Sequence, residues 1–228
     1  MKLASLFSGG KDSVYSTYLV KKQGHEVVCL ITILSKNKES YMFHTPSIEK
    51  TKYQANTMNF PLIVHKTEGK KEEELKDLKE AIEKAIKKYK IQGVVTGAIK
   101  SEYQSSRIQN ICNELGIKCV NPLWQIDELN YLNELIKNGF KVIITGVFAY
   151  PLNQSWLGRL IDKKFIDEIQ ILNTKYKIHS AGEGGEFETF VLDCPLFKKP
   201  LKIESYKDFK EGENSWRREI EVKLKRVK

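Results

Sequence analysis

The chain has 228 residues, with 38 Lys and Arg against 29 Asp and Glu, a net charge of +9 and a hydrophobic fraction of 41%. A chain of this size buries roughly 70% of the surface it exposes when unfolded, so it can hold a core without disulfides or a structural metal. That balance excludes a disordered tail, a collagen-like chain and a membrane bundle. No apolar run approaches the ~18 residues of a spanning helix, and Leu3 to Phe7 is too short for a signal-peptide core. A cytoplasmic protein with no membrane partner is expected.

Lys2 to Phe7 reads as a short buried strand, broken by Ser8-Gly9-Gly10 before a helix from Lys11 to Lys22 that ends near Gly24. Glu26 to Ile33 is a second apolar strand. Thr45-Pro46 supplies a capping hydroxyl and a first-turn proline for a helix running to about Met58. Pro61 to Lys66 is a third strand. From Lys70 to Lys90, Leu75, Leu78, Ile82, Ile86 and Tyr89 recur at helical spacing. Gly93 to Thr96 is a fourth strand, Ser101 to Leu115 a helix, and Lys118 to Val120 a fifth strand. This alternation predicts an α/β fold, a parallel sheet with helices on both faces, in residues 1–120.

Beyond Asn121-Pro122 the pattern changes. Trp124 to Asn138 predicts an amphipathic helix, Lys141 to Thr145 a buried strand, and Trp156 to Leu160 part of a short helix. Strands and turns dominate from 176 onward, with Ile220, Val222 and Leu224 alternating in the last strand. Residues 121–228 are therefore expected to form a smaller α+β domain. Ligands of parallel sheets sit beyond the carboxyl ends of the strands, so Ser8 to Ser13, the segment after Ile33, and Gly97 to Arg107 should converge.

The basic excess invites a nucleic-acid reading, but 33 of the basic residues are Lys and only five are Arg, the side chain favoured for bidentate phosphate and base contacts. Residues 198–228 alone carry +5 of the +9. The charge reads as a solvated Lys-rich surface, with transfer RNA kept as an alternative partner. Cys29, Cys112, Cys119 and Cys194 form no C-x-x-C pair, which counts against sulfur-transfer chemistry.

Two loops carry the chemistry. In Phe7-Ser8-Gly9-Gly10-Lys11-Asp12-Ser13 the glycines let backbone approach an anion, the following helix start offers free N–H groups, and Ser8, Ser13 and Lys11 add donors. In Gly182-Glu183-Gly184-Gly185-Glu186-Phe187-Glu188-Thr189 three carboxylates crowd together and repel one another unless a cation lies among them. Such a loop suits Mg²⁺, a cationic substrate group, or an ammonium ion that gives up a proton to Glu183, Glu186 or Glu188.

The first loop resembles the S-G-G-x-D-S signature of the PP-loop ATP pyrophosphatases, which implies a HUP-type domain that binds ATP and cleaves it to AMP and pyrophosphate. Adding G-A-I-x-S-x-Y-Q-x-x-R at Gly97 to Arg107 and the acidic loop, nearly the whole chain is similar to the diphthine-ammonia ligase family. The resemblance implies ATP and Mg²⁺ as co-substrates, with Asp12 as a metal contact, and ammonia and a diphthine-bearing translation elongation factor as partners. An acyl-adenylate would be the intermediate. Ser8, Gly9, Gly10, Lys11, Asp12, Ser13, Ile33, Gly97 and Ser101 are the expected nucleotide contacts; Lys11, Arg107 and the three Glu residues the catalytic candidates; and His44, Tyr103, Gln104, Gly184, Gly185 and Thr189 the substrate contacts. Another small carboxylate acceptor, a tRNA-modifying PP-loop enzyme and a non-catalytic nucleotide sensor remain alternatives. A homodimer is left open.

Overall fold

A computed structural model describes residues 1–37, 47–70 and 73–225. The expectations for Thr45-Pro46 and His44 lie outside the described residues. The first half alternates strand and helix: β1 (Lys2–Leu6), α1 (Lys11–Lys22), β2 (Glu26–Ser35), α2 (Thr51–Met58), β3 (Leu62–Thr67), α3 (Glu73–Tyr89), β4 (Gly93–Val95), α4 (Glu102–Glu114) and β5 (Lys118–Val120). The five strands form one sheet in the order β3-β2-β1-β4-β5, and every neighbouring pair is parallel. The chain leaves β1 to one side and returns to its other side at β4. The loop after β1 therefore opens at the point where the strand order reverses, where such sheets bind ligands.

Successive residues of a strand point to opposite faces, and here they serve two cores. Ala4, Cys29, Ile31 and Val94 pack with Leu78, Ile82 and Ala85 of α3 and with Ile108 and Ile111 of α4. Leu3, Leu30 and Val95 pack with Val14 and Tyr15 of α1 and with Ala55 and Met58 of α2. Helices cover both faces, as a buried parallel sheet requires.

The second half contains α5 (Glu128–Lys137), β6 (Lys141–Val147), α6 (Lys163–Tyr176), β7 (Phe187–Asp193), β8 (Leu201–Gly212) and β9 (Ser215–Leu224). Its strands make a four-stranded sheet, β7-β6-β9-β8, antiparallel throughout. Tyr131, Leu132, Val142, Ile144, Phe165 and Phe187 join the α1 side of the first core, so the two sheets share a hydrophobic interior across α1 and α5.

Two expectations are corrected. The helix expected from Trp124 begins only at Glu128, because Gln125 has a left-handed backbone and the Asp127 carboxylate caps the helix by accepting from Asn130 N–H. Residues 154–156 form a single 3₁₀ turn, Leu160 instead bridges Ile143 as isolated β pairing, and α6 occupies a stretch left unassigned from sequence. Among the described residues no helix is long and apolar enough to cross a membrane.

Candidate active site

The phosphate-type loop leaves β1 at Phe7 and closes on the start of α1. Gly9 has φ +81, and a Cβ there would lie 2.2 Å from Gln54 Oε1, so only glycine fits. Its carbonyl accepts from the Val191 N–H at 3.0 Å and from Gln54 Nε2 at 2.9 Å. Gln54 is fully buried in α2, and the same Nε2 also donates to the Val191 carbonyl at 2.8 Å. Ser13 Oγ lies 3.2 Å from Ser8 Oγ, accepts from Ser8 N–H at 3.2 Å and donates to the Gly10 carbonyl at 3.1 Å. These bonds pre-shape the loop. The Lys11 N–H donates to Thr189 Oγ1 at 3.0 Å, tying the start of α1 to β7, 178 residues away in sequence.

The Lys11 side chain is only 3% exposed. Its ammonium sits 3.0 Å from Asp12 Oδ2 and 5.4 Å above the Phe187 ring. The benzene face attracts the cation, and the ring itself packs edge-on against Phe165. Asp12 Oδ1 accepts from the hydroxyl of buried Tyr131 at 2.8 Å. Both Asp12 oxygens are thus engaged by protein groups.

Gly97 closes the opposite wall: a Cβ there would lie 2.9 Å from the Asp12 carbonyl carbon, so the chain after β4 lies directly on the phosphate-type loop. Ser101 caps α4, its hydroxyl accepting from Gln104 N–H at 3.3 Å. The adjoining N–H groups of Ile99, Lys100 and Ser101 all donate to Glu183 Oε1, each at 2.9 Å.

The three carboxylates of the acidic loop, crowded in sequence, are separated in space. Glu183 is held by those amides at the N-terminal end of α4, where the helix dipole also favours negative charge. Glu186 accepts from the His179 N–H at 2.8 Å. Glu188 lines the cleft; its Oε2, like that of Glu186, is shielded from solvent and has no hydrogen-bond partner among the described residues. Burial, with the Glu211 carboxylate adding to it, pushes the Glu188 carboxyl up to about 8, against the partial offset of Lys11 and Arg217. Backbone amides and burial thus relieve the repulsion that suggested a cation. Among the described residues no group of three or more His, Cys, Asp or Glu side chains is arranged to hold a metal ion.

One cleft of about 600 Å³ collects these elements. Ser8, Gly10, Lys11, Asp12, Ser13, Gly97 and Ser101 line one part, with Gly184, Gly185, Glu183, Glu188 and Thr189 facing them. Ile31, Ile33, Ile48 and Ile108 form an apolar wall, beside which Tyr103 and Gln104 also reach the cleft. Gly9 shapes the loop from behind. Glu186 and Arg107 do not line the cleft; the Arg107 guanidinium stacks 3.5 Å from the Tyr103 ring centre and is tied to that residue's carbonyl. In the C-terminal ribbon, Arg217 pairs with Glu211 and Glu219, and Arg218 forks onto Asp208.

Sequence reasoning missed Gln54, Tyr131 and Glu128. Glu128 Oε2 accepts from Ser180 N–H at 2.9 Å, and its Oε1 lies 2.8 Å from the Lys100 ammonium and 2.9 Å from His179 Nε2. Burial acts to raise its carboxyl, but Lys100, the Ser180 amide and His179 together hold it below the usual range. No local pattern marks these three residues; each acts through a contact made only in the folded chain.

The fold and the two facing loops define an α/β protein whose phosphate-type loop is roofed by an acidic loop from a second sheet. Residues 1–119 match the family model described as the diphthamide synthase N-terminal domain, and residues 127–227 match the diphthamide synthase C-terminal domain. The chain belongs to the diphthamide synthase family. It is 35% identical over 224 residues to a mouse protein named diphthine–ammonia ligase, covering 90% of this chain and 84% of that one. A protein of the same name from Schizosaccharomyces pombe is 34% identical over 219 residues, covering 89% of this chain but only 36% of the yeast protein's own length. A solved structure described as a predicted subunit of tRNA methyltransferase from Methanocaldococcus jannaschii aligns with a TM-score of 0.44 and 22% identity, over 86% of this chain and 98% of that one.

Proposed function

We propose that the chain is an AMP-forming carboxylate–ammonia ligase that converts the carboxylate of diphthine, on a translation elongation factor in the cytoplasm, to the amide of diphthamide. The observation that carries this reading is the meeting of the two loops: Lys11 donates its N–H to Thr189 and lays its ammonium over Phe187, so a phosphate-binding loop and an acidic loop share one cleft. Residues 1–120 supply the ATP half of that cleft and residues 121–228 the acceptor half.

ATP lies with its phosphates along Ser8 to Ser13, where the start of α1 and the Lys11 ammonium attract anions, and its adenine against Ile31 and Ile33. Asp12, 30% exposed at the cleft and paired with Lys11 and Tyr131, is the loop carboxylate that would hold Mg²⁺, which when bound would supply charge neutralisation at the phosphates. The acceptor carboxylate attacks the α-phosphorus as pyrophosphate leaves, a step governed by positioning and charge neutralisation by Lys11. Ammonia then attacks the acyl carbon and AMP leaves. Glu183 and Glu186 shape the acidic loop, and Glu188, in the cleft with an unpartnered oxygen, takes the proton from ammonium.

The test is product identity. Purified protein given ATP, ammonium and the diphthine-bearing factor should release AMP and pyrophosphate in step with amide formation. ADP and phosphate as products would contradict the assignment.

A further inference from the structure

Helix α5 touches both loops of the cleft. At its first turn Glu128 holds the acidic-loop side through the Ser180 amide and the Lys100 ammonium. Three residues on, and therefore on the same helix face, Tyr131 reaches the phosphate-type loop through Asp12. Neither residue belongs to a signature motif.

Tyr131 is fully buried, its ring packed 5.4 Å from that of Tyr15 between the two sheets. Phe would fill the same space. A buried hydroxyl costs stability unless it is hydrogen-bonded, and this one is spent on a single acceptor, Asp12 Oδ1, at 2.8 Å. The other Asp12 oxygen faces the Lys11 ammonium at 3.0 Å. Tyr131, Asp12 and Lys11 thus form a chain that begins in the dry core and ends at the cleft. We propose that Tyr131 is a positioning residue: by fixing the Asp12 carboxylate it aims the Lys11 ammonium across the cleft, and so sets the rate of the ATP-dependent step.

Two features support the direction of this chain. A carboxylate can only accept and a phenol is neutral in the ordinary working range, so the bond runs from the Tyr131 hydroxyl to Asp12. Asp12, in contrast, sits at the cleft with solvent access and would turn freely between Lys11 and the opening if Oδ1 were released. A hydrogen bond to a carboxylate is about twice as strong as a neutral one, enough to select one orientation of a short side chain.

This role rests on the ligase reading above, and the experiment separates the two. Tyr131→Phe, Asp12→Asn and the double variant are compared with the unchanged protein by calorimetric binding of a non-hydrolysable ATP analogue with Mg²⁺, by kcat and KM for AMP release, and by thermal melting. Tyr131→Phe should melt within a few degrees of the parent and bind the analogue within about threefold. Its kcat should fall about tenfold or more. Adding it to Asp12→Asn should cost nothing further, because both changes break one chain. Independently of whether Tyr131→Phe folds well, the parent should show a slowly exchanging tyrosine hydroxyl proton by NMR that vanishes in Asp12→Ala, which removes the accepting oxygen. Undiminished kcat in Tyr131→Phe, two losses that multiply in the double variant, or no such proton would overturn the role while leaving the ligase reading intact. Failure of the parent to bind the ATP analogue would overturn both.

Discussion

Replacing Glu188 with Gln removes one proton-binding site from the cleft while keeping its shape. The Glu188 carboxyl titrates at about 8 in the folded chain against an ordinary 4.5. Between those values the folded state keeps a proton that the unfolded chain has lost, so this group's contribution is complete below about pH 4.5 and declines as pH rises through about 8. Each unit of such a shift corresponds to about 1.4 kcal/mol, so its effect reaches a few kcal/mol across the window. Denaturant unfolding at several pH values between 5 and 8 should show the Gln variant becoming progressively more stable relative to the parent as pH increases. Amide formation at limiting ammonium should rise in the parent toward about pH 8, as Glu188 ionises near Lys11, Glu211 and Arg217. The Gln variant should lose about 10²-fold or more of that rate, the usual worth of a positioned general base, with KM for ATP unchanged. Stability curves that run parallel with pH, or ligation undiminished in the variant, would refute the assignment of Glu188.

Other substitutions separate shaping from chemistry. Gly9→Ala forces a side chain into a left-handed position and into Gln54. About 1–2 kcal/mol of backbone strain and about 1 kcal/mol for each weakened Gln54 bond should lower the melting temperature by roughly 5–15 °C in a chain of this size, alongside weaker ATP-analogue binding by calorimetry. Glu183→Ala releases the amides of Ile99, Lys100 and Ser101, so their hydrogen exchange should accelerate by about tenfold or more while exchange in α6 stays unchanged. Glu186→Gln, outside the cleft, should retain ligation within a few-fold, in contrast to Glu188→Gln, when the two are assayed side by side.

What sequence reveals here depends on the range of the interactions. The strand, glycine pair and helix start of Phe7 to Lys22 are a local unit, so the loop and its place beyond β1 can be read directly. The acidic octapeptide is equally local as a pattern, but its electrostatics are not. Neighbouring carboxylates suggest a shared cation, whereas the fold sends Glu183 to amides 82–84 residues away and Glu186 to His179, leaving Glu188 in the cleft. Gln54 and Tyr131 look like ordinary helix residues until α2 and α5 dock against the loop. Helix α6 has local signals that the sequence reading passes over: Asp162 caps it, and Phe165, Ile166 and Ile169 give it a buried face. Arg107, a catalytic candidate from its motif, lies on α4 as the pattern implies, but its guanidinium turns onto Tyr103, a direction that the motif alone does not reveal.

The central claim is that the acceptor carboxylate is activated by direct attack on the α-phosphorus. Elongation factor carrying diphthine labelled with ¹⁸O in that carboxylate, incubated with this protein, ATP and ammonium, tests it by mass spectrometry of the products. The account predicts amidated factor together with AMP that has gained one ¹⁸O, and unlabelled pyrophosphate. Amide formed with unlabelled AMP, or with the label in inorganic phosphate beside ADP, would contradict it.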